Sequence, residues 1–326
     1  MARMGLGARW RCVFANDFDN AKGATYRANF PNADDHLRVG DVWGVSPADL
    51  PGRADVAWAS SPCQDFSIAG ARAGLAGGKS SAFYGFWRLI EALAAEGRAP
   101  RAVVIENVSG LLTSHGGADF TAVAQALARA GYGFGALEID AAAFLPHSRP
   151  RVFIIAAREP PSAGLIGDGP WQSKAVRTAA ELLPASLRKH WIWWRLAAPL
   201  ARNIDLAAVL EHDAAVVWHS SERTRAWLGL MSPLHRARIE ACRDRDERAV
   251  GAIFRRMRTE DGAKIQRAEV RLDGLAGCLR TPRGGSSRQA IVVVDHGEVR
   301  TRLLTPREAA RLMGLPDSYV LPKTAT

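Results

Sequence analysis

Five short apolar runs, interleaved with helical patterns, limit this chain to few folds. The runs are R-C-V-F-A-N (Arg11 to Asn16), A-D-V-A-W-A-S (Ala54 to Ser60), R-A-V-V-I-E (Arg101 to Glu106), F-G-A-L-E-I-D (Phe134 to Asp140) and R-V-F-I-I-A-A (Arg151 to Ala157). Near-continuous β-prone runs of this length suit strands covered on both faces. Between them N-A-K-G-A-T-Y-R-A-N-F (Asn20 to Phe30), S-A-F-Y-G-F-W-R-L-I-E-A-L-A-A-E (Ser81 to Glu96) and D-F-T-A-V-A-Q-A-L-A-R-A (Asp119 to Ala130) read as helices. Asp119 is the expected cap of the last of these, and Gly131 its stop. The alternation predicts an α/β fold with a doubly wound, mainly parallel sheet. Ligands of such sheets sit at the carboxyl ends of the strands, and Cys63 and Glu106 both fall at that edge.

The alternation stops near Glu159. E-P-P-S-A-G, the tryptophans Trp191, Trp193 and Trp194, and the arginine-rich 236–271 stretch do not continue it. The expected organisation is a first domain over 1–157, a smaller irregular domain over 158–295 and a closing segment over 296–326 that returns to the first domain. That closing segment contains R-L-L-T-P-R-E-A-A-R-L-M-G (Arg302 to Gly314), with Thr305 as N-cap, Pro306 in the first turn and Glu308 three residues after the cap.

Composition then narrows the class. The 326 residues are 48% hydrophobic, enough for a substantial core, yet no apolar run reaches the length of a membrane span. With no signal-peptide pattern at the N-terminus, the expected location is the cytoplasm. Cys12, Cys63, Cys242 and Cys278 form no CxxC pair, which argues against a zinc ribbon or a disulfide scaffold; no metal site is expected. The net charge of +10 is uneven, because residues 222–302 hold 18 Lys/Arg against 11 Asp/Glu. Such a local excess marks either a polyanion-binding surface or a solvated basic face.

Four places carry possible chemistry. In W-A-S-S-P-C-Q-D-F-S (Trp58 to Ser67), Cys63 stands at a strand end beside an expected helix start. It is a nucleophile if that setting favours the thiolate, or else a buried structural thiol. Glu106, in E-N-V, ends a strand, where a carboxylate is costly unless paired or used; the alternative is a carboxylate that ties a loop. In H-S-R-P-R (His147 to Arg151), Arg149 and Arg151 alternate and would converge on one bound group from an extended chain, or flank the sheet as surface arginines. Asp17 and Phe18 follow the first run. An acid at a strand end suits a nucleoside ribose and an aromatic ring suits a base, whereas Asp19 reads as a helix cap.

Taken in order, P-C-Q at 62–64, E-N-V-S-G at 106–110, the R-x-R of Arg149 and Arg151, and R-L-L-T-P-R-E-A-A-R-L-M-G-L-P at 302–316 resemble the DNA (cytosine-5)-methyltransferase family. The resemblance implies a Rossmann-like, class I methyltransferase fold with a target-recognition domain. It also implies transfer of a methyl group from S-adenosyl-L-methionine to carbon 5 of a flipped cytosine in a specific duplex sequence. Cys63 would attack carbon 6 of the base. Glu106 would hold ring nitrogen 3 and the exocyclic amine, and Arg151, supported by Arg149, the base carbonyl and a nearby phosphate. Pro62, Gln64, Ser67 and Asn107 would shape and support the catalytic loop. Asp17 would bind the cofactor ribose and Phe18 face the adenine, with Asp41 and the Val42 backbone reading the adenine edge. C-L-R-T-P-R-G-G-S-S (Cys278 to Ser287) resembles the loop beside the flipped base, so Arg280, Thr281 and Arg283 are the expected DNA contacts.

The match has departures. His147 stands where the family usually has Gln, which affects a supporting hydrogen bond. The chain opens at M-A-R-M-G-L-G and closes at L-P-K-T-A-T, without the family's first strand and Phe-x-Gly-x-Gly loop or its last closing helix. The expectation is a truncated member of an active lineage, the missing pieces lying outside this sequence or coming from a complementing chain, with low stability for the chain alone. The expected partners are double-stranded DNA and a cognate restriction endonuclease. Two other readings stay open: an RNA cytosine methyltransferase of the same fold, and a non-catalytic DNA-binding remnant. The long basic recognition region favours duplex DNA.

Overall fold

The structure is a computed structural model that describes residues 2–61, 82–245, 247–260, 262–279 and 288–322. The chain divides into two compact units, one of Met1–Ile139 with Pro150–Ala198 and one of Asp140–Arg149 with Pro199–Thr326.

In the first unit, β1 (Ala15–Asp17) leads into α1 (Asn20–Asn29), and β2 (Leu37–Val39) returns to pair with β1 in parallel. Asp19 caps α1 by accepting from Ala21 N and Lys22 N, as its sequence context implies. The expected strand over Arg11–Asn16 is shorter, since backbone pairing begins only at Ala15, whose N–H donates to His36 O. Then come β3 (Val56–Ala59), α2 (Ala82–Ala95), β4 (Ala102–Asn107), α3 (Ala118–Arg129), β5 (Gly133–Asp140) and β6 (Pro150–Ala157). The sheet order is β3-β4-β6-β5, with β3 and β4 parallel and β6 antiparallel to β4.

The α/β class stands, in mixed form, and the burial is one-sided. Val103, Ile105 and Asn107 of β4 and Val152, Ile154 and Ala156 of β6 are buried, while alternate residues are half-buried. Phe83, Trp87 and Ile90 of α2 and Phe120, Val123 and Leu127 of α3 join the sheet's Val103, Ile105, Val152 and Ile154 in one core cluster. Asp119 does not cap α3. Gly117 is the N-cap, and Asp119 is instead buried inside the first turn, accepting from Ser114 Oγ and facing His115 Nδ1 at 2.8 Å.

The first unit extends to Ala198, and the tryptophan cluster packs within it. Ile192 N donates to Phe134 O at 2.7 Å, Trp194 Nε1 donates to Ile155 O at 2.9 Å, and Trp191 packs edge-on to Phe120 and Phe134. Gly135 is needed for this approach, since a Cβ there would lie 1.9 Å from Ile192 O.

The second unit contains α5 (Ser221–Gly229), α6 (Pro233–Arg243), β7 (Ala249–Glu260), β8 (Ala263–Arg271), β9 (Ala290–Asp295), β10 (Glu298–Leu303) and α7 (Pro306–Leu312), following α4 (Lys174–Leu182) of the first unit. Its sheet is antiparallel in the order β10-β9-β7-β8. Strand β9 is buried on both faces. Ala290, Val292 and Val294 meet Trp227, Met231 and Ile239, while Ile291 and Val293 meet Leu206, Val209 and Leu312.

The cap expected at Thr305 is present as a full capping box with Glu308 and Pro306. Glu308 does more than cap. It is fully buried and receives both Arg302 Nη1 at 2.7 Å and Nη2 at 2.6 Å, as well as Thr305 N and Glu211 N. Among the described residues no helix is long and apolar enough to cross a membrane.

Removing one member of a buried ion pair strands the other charge, which costs about 3–5 kcal/mol. Glu308→Ala should therefore lower the urea unfolding free energy by about that amount, and Arg302→Met with Glu308→Leu should cost less than half as much. A linear urea titration of both variants checks this.

Candidate active site

Strand register assembles the first part of the site. Glu106 pairs opposite Phe153 in the β4–β6 ladder, so Arg151, two residues from Phe153, projects from the same half-buried face. Arg151 Nε and Glu106 Oε1 lie 3.1 Å apart, with 16% and 22% of their side chains exposed. Arg151 Nη1 also donates to Pro150 O at 2.7 Å. The pair is thus partly shielded from water and still accessible. A carboxylate that faces a fixed guanidinium can accept a hydrogen bond from an amine, or share a proton with a ring nitrogen, next to a donor fork for a carbonyl.

Asn107 is the buried neighbour. Its Nδ2 donates to Ser61 O at 3.1 Å and its Oδ1 accepts from Val108 N at 2.8 Å. Strands β3 and β4 are in parallel register, Ala59 opposite Ile105, which brings Ser61 alongside Asn107. The chain therefore leaves β3 toward Cys63 from a carbonyl tied to the Glu106–Asn107 strand end. Pro62, Cys63, Gln64 and Ser67 themselves lie outside the described residues.

A second part forms where β1 meets β2. Gly40 N donates to Asp17 O at 3.0 Å, so the Asp17–Phe18 strand end and the Asp41–Val42 turn are neighbours. Phe18 is 78% exposed, and no heavy atom outside its chain neighbours lies within 4 Å of a Cβ built on Gly40. Each carboxylate uses one oxygen locally: Asp17 Oδ1 accepts from Asp19 N and Asp41 Oδ1 from Trp43 N. This set matches an adenosine in chemical type, with acceptors for hydroxyls and an amine beside an exposed ring.

Two residues that sequence reasoning missed hold that turn. Arg88 of α2 donates through Nη2 to the carbonyls of Val42, Trp43 and Val45 at 3.2, 2.7 and 2.6 Å. Gly85, one turn earlier, lets the helix close in, since a Cβ there would meet Val42 Cγ1 at 2.5 Å. No local pattern marked either, because the groups they meet lie more than forty residues away along the chain.

Arg149 belongs to the second unit. Its N–H donates to Asp140 Oδ1 at 2.6 Å, and its Nη1 reaches Leu279 O at 3.5 Å and Cys278 Sγ at 3.8 Å. Arg280, Thr281 and Arg283 lie outside the described residues. The basic 222–302 stretch is more neutralised than its composition suggests. Arg248 and Arg300 share Asp213, and their hydrogen bonds, Arg248 foremost, hold that carboxyl below the usual range. On the β7–β8 hairpin, Arg256 and Arg258 face Glu269, and Arg267 faces Glu260. The other hairpin face carries Arg255, Met257, Lys264 and Gln266. Among the described residues Arg255 and Lys264 have no carboxylate partner.

With this geometry in place, a family model for the C-5 cytosine-specific DNA methylase matches residues 2–326. The chain belongs to that family. It is accordingly an enzyme of the DNA cytosine-5 methyltransferase class. It is 25% identical over 313 residues to the Type II methyltransferase M.DsaV of Dactylococcopsis salina, covering 96% of this chain and 72% of that protein. It is 27% identical over 342 residues to the Type II methyltransferase M.HpaII of Haemophilus parainfluenzae, covering 99% and 78%. The fold is similar to that of the S. pombe Dnmt2 methyltransferase, with a TM-score of 0.53 at 15% identity over 96% of this chain and 82% of that one. Among the described residues no cluster suits a metal ion.

Because Asn107 satisfies one half-buried carbonyl and one amide, Asn107→Ala should destabilise the first unit by about 1–3 kcal/mol. Hydrogen exchange at the Val108 amide should accelerate in parallel; an unchanged rate would refute the assigned bond.

Proposed function

We propose that this methyltransferase acts on a flipped cytosine in a specific duplex DNA sequence, with S-adenosyl-L-methionine as methyl donor, in a restriction-modification setting. The observation that carries the reading is the Glu106–Arg151 pair on the half-buried face at the end of β4, with the chain toward Cys63 tied beside it through Asn107 and Ser61. The Type II names of M.DsaV and M.HpaII support the restriction-modification setting, with a cognate endonuclease as partner.

Cytosine carbon 5 is a weak nucleophile until the ring is opened to addition. The Cys63 thiolate adds to carbon 6, and the electron pair of the 5,6 double bond makes carbon 5 nucleophilic; once carbon 5 is methylated, its proton passes to a base and the Cys63 thiolate leaves carbon 6, restoring the double bond. Glu106 holds ring nitrogen 3 and the exocyclic amine, placing a proton where negative charge develops. Arg151 keeps Glu106 oriented and offers its remaining donors to the base carbonyl, with Arg149 in support. The bound cofactor supplies an electrophilic methyl group. Asp17 accepts from its ribose hydroxyls, Phe18 covers its adenine, and Asp41 with the Val42 backbone meets the adenine edge. Reading of the duplex falls to the 278–287 segment, through Arg280, Thr281 and Arg283, with Arg255 and Lys264 of the hairpin as further phosphate contacts.

The test is transfer of labelled methyl from S-adenosyl-L-methionine to mixed-sequence duplex DNA. Label should appear on cytosine carbon 5, vanish in Cys63→Ala and fall by about 10²–10⁴ in Glu106→Gln. Label that persists in Cys63→Ala would sink the mechanism, and label confined to RNA would sink the substrate.

A further inference from the structure

We propose that His147 and Gln289 are positioning residues that together clamp the root of the 280–287 segment and so set which DNA sequence is selected. The inference rests on the reading that this segment meets DNA.

His147 is fully buried, and both ring nitrogens are spent on backbone groups. Its Nδ1 lies 3.1 Å from Leu312 O, and Leu279 N donates to its Nε2 at 3.1 Å. A carbonyl only accepts and an amide N–H only donates, so Nδ1 carries the proton and Nε2 is bare. The ring is therefore neutral and held in one tautomer. It joins the last residue of α7 to the residue just before Arg280.

Gln289 closes the other side. It is buried, its Nε2 donates to Gly277 O at 2.6 Å, and its Oε1 accepts from Gly277 N at 3.1 Å. One side-chain amide thus pairs with the backbone of Gly277 like a neighbouring strand, across the base of the segment. Backbone bonds complete the root: Ala276 N donates to Pro146 O at 2.9 Å and Ser148 N to Ala276 O at 3.0 Å. Arg149 Nη1, approaching Leu279 O, belongs to the same hydrogen-bonded group. A residue present only for packing would not need two backbone partners of opposite polarity at a segment root. This imidazole satisfies a helix-terminal carbonyl and fixes Leu279 at once.

The experiment selects duplexes bound by the full chain from a random-sequence library and reads the enriched sites. Non-specific affinity, its salt dependence, the thermal melt and methyl transfer are measured alongside. His147→Leu and Gln289→Leu should lower discrimination between enriched and random duplex by about tenfold or more. Non-specific affinity and its salt slope should stay within about twofold. His147→Gln, whose amide can donate and accept at once, should restore discrimination to within about threefold of the parent chain. If the leucine variants fail to fold, Gln289→Glu decides, since it keeps the acceptor for Gly277 N but removes the donor to Gly277 O; about a threefold loss is expected.

Folded leucine variants with unchanged site preference overturn the proposal, as does an unchanged Gln289→Glu or a His147→Gln that fails to rescue. A parent chain that enriches no sequence overturns it as well. Because selection needs no chemistry, a parent chain that selects sites but transfers no methyl defeats the catalytic reading alone.

Discussion

The register between β4 and β6 is the constraint on which the catalytic geometry depends. Side chains alternate along a strand, so a slip of one residue would turn Glu106 onto the core face and move Val103 and Ile105 out of the core. The apolar alternation of Val152, Ile154 and Ala156 forbids that slip, because those residues must face α2 and α3. Core packing thus enforces the 3.1 Å approach of Arg151 to Glu106 without any residue dedicated to the task. The antiparallel direction of β6 matters equally, since it returns the 149–151 segment to the carboxyl end of β4, where the parallel strand β3 also ends.

The second unit is organised by a different economy. Burying Arg302 and Glu308 costs desolvation that their attraction alone offsets poorly. The compensation is that Glu308 also accepts from Thr305 N and Glu211 N, so one carboxylate joins β10, the start of α7 and the 206–212 turn. That arrangement fixes α7, whose last carbonyl belongs to Leu312, the partner of His147. The buried pair thus ties down the helix whose last carbonyl meets His147.

How much of this was legible follows from the range of each interaction. The Thr305 capping box lies within four residues and could be read directly, as could the Asp19 cap. The same local rule misread Asp119, because the preceding turn won: Gly117 takes the left-handed cap position, which leaves the carboxylate to Ser114 and His115. The Arg11–Asn16 run carried strand propensity but found a partner only from Ala15 onward. Strand direction could not be read either, for an apolar run looks alike both ways. Glu106 and Arg151 were identifiable as motif residues, yet their contact depends on a register that no single segment encodes. Arg88 was invisible because its three acceptors are backbone carbonyls more than forty residues away.

Charge shows the same limit most sharply. A count over 222–302 treats 18 basic side chains as equivalent, whereas the fold assigns many of them to acids of their own unit. A guanidinium already facing a carboxylate presents little more than a dipole to a phosphate, and releases few counterions when it meets one. Electrostatic attraction to DNA then comes from the basic side chains without a carboxylate partner, of which Arg255 and Lys264 lie on one face of the hairpin while the opposite face neutralises itself. The pairing is what makes the field directional: it cancels charge on one side of a two-stranded ribbon and leaves it on the other, which a uniformly basic surface of the same net charge could not do.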